Sequence, residues 1–332
     1  MRSANQASPA ELMRIGNAGK RFAASGFNPK VLRTLDLLQK DEWKALDDSV
    51  VKVARSVITG IADLRSHNLV RDLGTLGVLI DEYERVTEVS AAEQNMTGIA
   101  PGQKDLPGYD IIGVPIPVTF KDFQVNIRTL EASRQRGVAM DTVTAELSAR
   151  QVSLTLDEMV FNGSVVQVGS GVVYGYTNHP DRITGTLTDA WTDAVNRDIM
   201  TDVLAMLSAA EAINYRGPFT LYVPTSYMSV LREDYSTLKG DRTFLERILA
   251  IPEITEVKGT PSLQGTDLSG DEVLLVQMTS DVVDLSIGQD IVTVEWDTSG
   301  GLVTDFKVMA AMAPRVKSSS SSQTGVVHYT KA

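Results

Sequence analysis

The sequence predicts an α+β protein that combines long helices with strand-rich stretches. Two stretches, residues 41–67 and 141–162, place apolar side chains at three- and four-residue steps, the spacing of one helix face. Between them, residues 73–120 have no helical period and are broken up by glycine and proline around short β-prone pieces. The last part, from residue 273, reads as a succession of strands.

Composition bounds the function. At 332 residues and 43% hydrophobic, the chain can bury a large core or two ordinary ones. Without cysteine it has no disulfides, thiolate metal sites or cysteine nucleophiles, and three histidines (His67, His179, His328) leave little for zinc. No apolar run approaches the roughly 18 residues of a membrane span, and the N-terminal sequence has no signal-peptide core, so a soluble, unsecreted protein without membrane contact is expected. The net charge of −11 is uneven: residues 1–40 balance at +5 and the remainder at −16. A basic arm on an acidic body points to an anionic partner, either nucleic acid or the acidic surface of a neighbouring copy; composition alone equally allows a solvated terminus.

The elements follow in order. Trp43, Leu46, Val50, Val53, Val57, Ile61 and Leu64 define a helix of about seven turns, ending near His67, which serves as a C-terminal cap. Residues 73–120 form a long β-hairpin that cannot bury a core alone and therefore needs a partner surface. Residues 119–130 alternate like a strand, and a spine helix opens at Asp141 with Leu147, Leu154 and Met159 among its core candidates, stopped by Asn162-Gly163. Residues 165–194 read as loop with short hairpins. A helix over 197–213 buries Ile199, Val203, Leu207 and Ala210. A buried strand follows at 219–223, with helices at 225–235 and 241–250. Strands are expected at 273–278, 282–287, 291–298 and 302–312, then a flexible serine spacer at 318–322 and a last strand at 326–329.

Catalytic patterns are lacking. His179-Pro180-Asp181 matches the tripeptide of J-domain cochaperones, but in a Gly/Thr loop it reads as a turn. The glycines of 169–175 miss dinucleotide spacing, and no Walker loop occurs. Asp157 and Glu158 are adjacent and diverge on the spine helix, where they solvate it or pair with nearby bases. Neither a catalytic triad nor a metal cluster nor a cofactor is expected, so the chain reads as a non-enzyme.

Five segments in order carry a family resemblance: DEWKALDDSVVKVAR (41–55), FKDFQVNIRTLEASRQRG (120–137), FNG (161–163), GPFTLYV (217–223) and GQD (288–290). Together they resemble the Hong Kong 97-like fold shared by tailed-bacteriophage major capsid proteins and encapsulin shell proteins, over roughly residues 41–314. The resemblance implies an N-terminal arm (1–40), a first helix and connection (41–82), an extended E-loop (83–121), a peripheral domain (122–196 and 289–332, with a C-terminal tail) and an axial domain (197–288). It implies a structural protein that assembles with itself, as hexamers and pentamers of an icosahedral lattice, around the double-stranded DNA of a tailed phage. Portal, packaged DNA and a scaffolding or decoration protein are its implied partners, in a virion capsid assembled in the bacterial host cytoplasm. The alternative is an encapsulin nanocompartment enclosing a cargo enzyme. The arm and the 165–194 insertion look more like phage capsid sequences.

Candidate inter-subunit contacts in the E-loop are Tyr83, Arg85, Glu88, Lys104 and Tyr109; the basic arm contributes Arg2, Arg14, Lys20 and Arg21. Lys104 reads as a solvated or ion-paired side chain, since an isopeptide cross-link also needs an Asn and a carboxylate base.

Overall fold

A computed structural model describes residues 49–50, 52, 58–87, 89–92, 94, 96–97, 104–126, 128, 132, 135, 143–192, 196–235, 242–265, 270–298 and 303–331. The chain divides into two compact units, one of residues 1–54, 120–151 and 292–309, the other of residues 55–119, 152–291 and 310–332.

Most of the predicted first helix lies outside the described residues, although Ser49, Val50 and Lys52 are helical. Its C-terminal end differs from expectation. Ile58 is not helical, Thr59 is a bend, and a separate helix α1 spans Gly60–Ser66 with His67 at its C-cap. Gly60 packs closely there: a Cβ would stand 3.0 Å from Val160 and 3.1 Å from Phe161. The spine helix α2 spans Val143–Asn162; its predicted opening at Asp141 lies outside the described residues, and it stops as predicted at Gly163, whose φ of 73° suits glycine. Met159 is buried, but Leu147 is 55% exposed, so that core assignment is corrected.

The larger unit is organised by a five-stranded sheet in the order β7-β13-β10-β8-β9: Ile183–Leu187, Val326–Lys331, Glu272–Gln277, Phe219–Pro224 and Ile254–Thr260. Every residue of β8 is buried, as its continuous apolar run requires of a strand covered on both faces. Helices α3 (Asn196–Glu211), α4 (Thr225–Leu231) and α5 (Phe244–Leu249) share one core with it. Ile199, Val203, Leu207 and Ala210 of α3 are all buried, as their spacing predicts. Trp191 closes this core, its indole Nε1–H donating to Asp202 at 3.0 Å.

Three expectations are corrected in the β-rich part. The residues around Gly288-Gln289-Asp290 do not turn, and β11 runs unbroken over Val283–Thr298. Gly288 instead allows close approach, since a Cβ there would lie 3.0 Å from the Thr75 carbonyl. The serine run is an ordered turn: Ser319 N–H donates to the Gln323 carbonyl and Thr324 Oγ1 to that of Lys317. The last strand, β13, is no peripheral tail. It lies inside the five-stranded sheet, antiparallel to β10 and parallel to β7, so both of its edges are paired.

Strand β12, Val303–Val316, and β4, Val118–Asn126, complete the second sheet with β11 and the short β1, Val70–Asp72. Within the smaller unit, Phe123 of β4 stacks on Phe306 of β12 with ring centroids 5.0 Å apart. Lys307 sits 4.1 Å over the Phe120 ring and 3.5 Å from Asp122.

Candidate functional site

The expected E-loop is a two-stranded hairpin of β2, Ile80–Val86, and β3, Tyr109–Pro115. Seven residue pairs run from Ile80↔Pro115 to Val86↔Tyr109, so alternation assigns each side chain a face. One face carries Ile80, Val86, Tyr109 and Ile111, which are 38%, 48%, 62% and 66% exposed, with Glu82 and Glu84 among them. Beyond the strands the two arms stay tied. Thr87 N–H donates to the Gly108 carbonyl, and Ser90 N–H donates to Asp105 at 2.7 Å; hydrogen bonds from the Ser90 side chain and then its backbone hold the Asp105 carboxyl below its usual range. Met96, Lys104 and Leu106 are exposed near the distal end.

The opposite face turns inward. It carries Asp81, Tyr83 and Arg85 from β2, opposite Val114, Ile112 and Asp110. Tyr83 and Arg85 therefore face their own subunit, where they line a cleft of about 190 Å³ together with Tyr174, His179, Asp181 and Val316. Burial pushes the Tyr83 phenol up, and Arg85 pairs with Asp110 at 3.2 Å. Of the five sequence candidates, Tyr109 and Lys104 are thus exposed, Tyr83 and Arg85 are turned inward, and Glu88 lies outside the described residues. So do Arg2, Arg14, Lys20 and Arg21 of the arm.

The hairpin is anchored at its root by charges that sequence reasoning missed. Asp81, 4% exposed, accepts from Ser286 Oγ at 2.6 Å and lies 2.8 Å from Arg315 Nη1. Arg315, fully buried in β12, grips Asp284 of β11 with two donors, and Lys317 adds a contact to Asp284 at 2.7 Å. Arg71 approaches Asp81 from the surface at 3.5 Å. The one sequence signal was Arg315 standing directly after the apolar run 308–314 and before Val316.

A second buried polar cluster surrounds α1. Asp157 of the spine helix, 3% exposed, accepts from the backbone N–H of Thr59 at 2.9 Å and Gly60 at 2.7 Å. It supplies the N-terminal cap that no nearby side chain provides, which corrects its expected solvating role. Burial pushes its carboxyl up to about 6 against these hydrogen bonds. Asp63 of α1, also raised by burial, accepts from Tyr222 Oη at 2.8 Å and pairs with Lys258, whose ammonium also contacts Glu256 at 2.6 Å.

The His-Pro-Asp segment is a turn: Asp181 N–H donates to His179 Nδ1, and Arg182 N–H to the His179 carbonyl. Burial lowers the His179 imidazole to about 4. His328 is buried in β13, accepting from Arg182 Nε at 3.1 Å. Among the described residues, no three His, Asp or Glu side chains gather to hold a metal ion, and no helix is long and apolar enough to cross a membrane.

A long spine helix, an extended hairpin rooted on two long strands, and a five-stranded sheet flanked by helices define the Hong Kong 97-like fold of capsid and shell proteins. The chain belongs to the family described as a family of unknown function, DUF6260, whose model matches residues 32–329. Among curated proteins it is 23% identical over 292 residues to the type 1 encapsulin shell protein EncA of Myxococcus xanthus (strain DK1622), covering 84% of this chain and 90% of that one. Among solved structures it is similar to the virus-like particle from Pyrococcus furiosus, with a TM-score of 0.59, 17% identity and coverage of 86% of this chain and 98% of that one. It is also similar to the capsid of Myoviridae phage XM1, with a TM-score of 0.62, 12% identity and coverage of 81% and 91%.

Proposed function

We propose that this chain is a structural shell protein, the major capsid protein of a tailed phage, many copies of which close an icosahedral lattice around double-stranded DNA. The observation that carries the reading is the hairpin. Its root is fixed by buried ion pairs, while its outer face presents Val86, Tyr109 and Ile111 to solvent. An isolated two-stranded sheet is at best marginally stable in water, and an exposed apolar face of this kind marks an interaction surface. A neighbouring copy of the same chain is the natural cover, and repetition around a ring multiplies weak contacts into a lattice. Similarity to the phage XM1 capsid supports the phage reading, as does the basic arm beside an acidic body.

A second reading, a nanocompartment shell around a cargo enzyme, is favoured by the similarity to the encapsulin EncA over most of both chains. In either reading the chain has no catalytic role. Electron cryo-microscopy of particles formed by the purified chain tests the proposal. Closed shells support it, with packaged DNA marking a capsid and a co-purified protein cargo marking a nanocompartment. A monodisperse monomer or dimer under all assembly conditions would sink both.

A further inference from the structure

Three side chains that the fold gathers between α1 and β9 have the chemistry of a covalent bond. Lys258 and Glu256 stand two residues apart on β9 and so project from the same face of it. In the parallel register with β8, Lys258 is opposite Tyr222 and Glu256 opposite Thr220. Helix α1 brings Asp63 to this face, 195 residues from Lys258 in sequence.

Asp63 is 4% exposed, and Ile61 and Leu64 of the same helix are buried on either side of it. Its two carboxyl oxygens have separate partners. Oδ1 is in contact with Lys258 Nζ, and Oδ2 accepts from Tyr222 Oη at 2.8 Å. Glu256 Oε2, also buried, stands 2.6 Å from the same nitrogen. The Tyr222 ring is itself fixed by Phe161 and Tyr176, whose ring centroids lie 5.2 Å and 6.1 Å away. An amine, a buried acid and a second carboxylate thus meet at one nitrogen.

We propose that Lys258 and Asp63 condense into an isopeptide bond within the subunit, with Glu256 as the proton carrier. The Nζ–Cγ bond forms and the Cγ–Oδ1 bond breaks. Of the three protons on the ammonium, Glu256 takes one and passes it to the departing oxygen. A second follows from the nitrogen as the amide forms, and the third stays on the amide. One water leaves, Glu256 ends as it began, and nothing is oxidised or reduced. Tyr222 donates to the oxygen that remains, Oδ2, and stabilises the charge that builds there during attack.

Contact between amine and carboxyl makes the step unimolecular. Condensation also replaces an ion pair that is costly to desolvate by a neutral amide. Burial raises the Asp63 carboxyl, which helps it to lose an oxygen as water. At Lys258 burial opposes the charge, but the bonds to Asp63 and Glu256 outweigh it and keep the ammonium, so release of the amine depends on Glu256. The Lys258 side chain is 28% exposed, which leaves the water a way out. The product joins α1 to β9, an edge strand of the five-stranded sheet, whether or not the subunit assembles.

Intact mass of the purified full-length protein, measured after denaturation, tests the bond. Wild type is expected to be lighter than its sequence by one water per chain. Trypsin should fail to cut after Lys258 and should yield a branched peptide in which residues 56–65 are joined to that lysine. Lys258→Arg, without the amine, and Glu256→Gln, without the proton carrier, should both have the full mass. Wild type at full mass and cut normally after Lys258 overturns the proposal and leaves an ordinary ion pair, a result that requires no variant to fold. A lost water that maps to another position, as a succinimide would, or that persists in Lys258→Arg overturns it as well. Loss that persists in Glu256→Gln overturns the part assigned to Glu256.

Discussion

Arg315 and Asp284 form a two-pronged ion pair inside the protein, Nε to Oδ1 at 2.7 Å and Nη2 to Oδ2 at 2.5 Å, with Arg315 only 2% exposed. The third donor of the same guanidinium, Nη1, stands 2.8 Å from Asp81 on the first strand of the hairpin. One cation thus ties β11, β12 and β2 together, and it sets the position from which the hairpin projects.

Removing that cation takes the main partner from two buried carboxylates, leaving Lys317 beside Asp284, and Ser286 with the more distant Arg71 beside Asp81. Arg315→Ala is expected to cost about 3 to 5 kcal/mol, whereas Asp81→Asn, which leaves the Arg315–Asp284 pair and the Ser286 bond in place, should cost about 1 to 3 kcal/mol. Urea denaturation of the dissociated subunit measures both. A loss below about 1 kcal/mol for Arg315→Ala would show that the network does not anchor the hairpin.

The outer hairpin face separates folding from assembly. Replacing Tyr109 and Ile111 together by Ser should change subunit stability by no more than about 0.5 kcal/mol, because both side chains are largely exposed. Sedimentation velocity should show shells lost. Normal shells from the double variant would remove this face from the interface.

Two buried groups titrate with opposite sign over the same pH range. His179 is lowered from 6.5 to about 4, so its contribution is present above 6.5 and is lost as pH falls towards 4. Asp157 is raised from 3.8 to about 6, so its contribution grows as pH falls over nearly the same interval. At 1.36 kcal/mol per unit each effect is about 3 kcal/mol, and the two nearly cancel. His179→Gln should unmask the second, making the protein more stable to urea at pH 4.5 than at pH 7; a variant that still loses stability in acid would contradict this assignment.

The arm is expected to act through charge. If Arg2, Arg14, Lys20 and Arg21 clasp the acidic surface of an adjacent subunit, changing all four to Gln should make empty shells disassemble at lower salt than wild type. If they serve packaged DNA alone, filled particles would weaken and empty ones would not. Light scattering across a salt series distinguishes the outcomes.

The sequence by itself determined those elements whose signal is local. The three- and four-residue steps of α2 and α3, the Asn162-Gly163 stop, the apolar run of β8 and the lack of a core in the hairpin are all properties of neighbouring residues. Period and turn chemistry act within a few residues, and those elements stand where the sequence places them. The inward turn of Tyr83 and Arg85 was not legible, because strand parity has meaning only once the register with β3 and the side that faces the body are known.

Tertiary structure decided everything that joins distant residues. Asp157 caps a helix 97 residues earlier in the chain, Ser286 reaches Asp81 across 205, and β13 enters the sheet between β7 and β10. Gly288, left by the sequence between two expected strands, lies inside β11, with the Thr75 carbonyl close against it. A buried charge or a bare strand edge is satisfied by whatever the fold brings to it. That choice depends on the desolvation and hydrogen bonding of the assembled interior, and no window of sequence contains it.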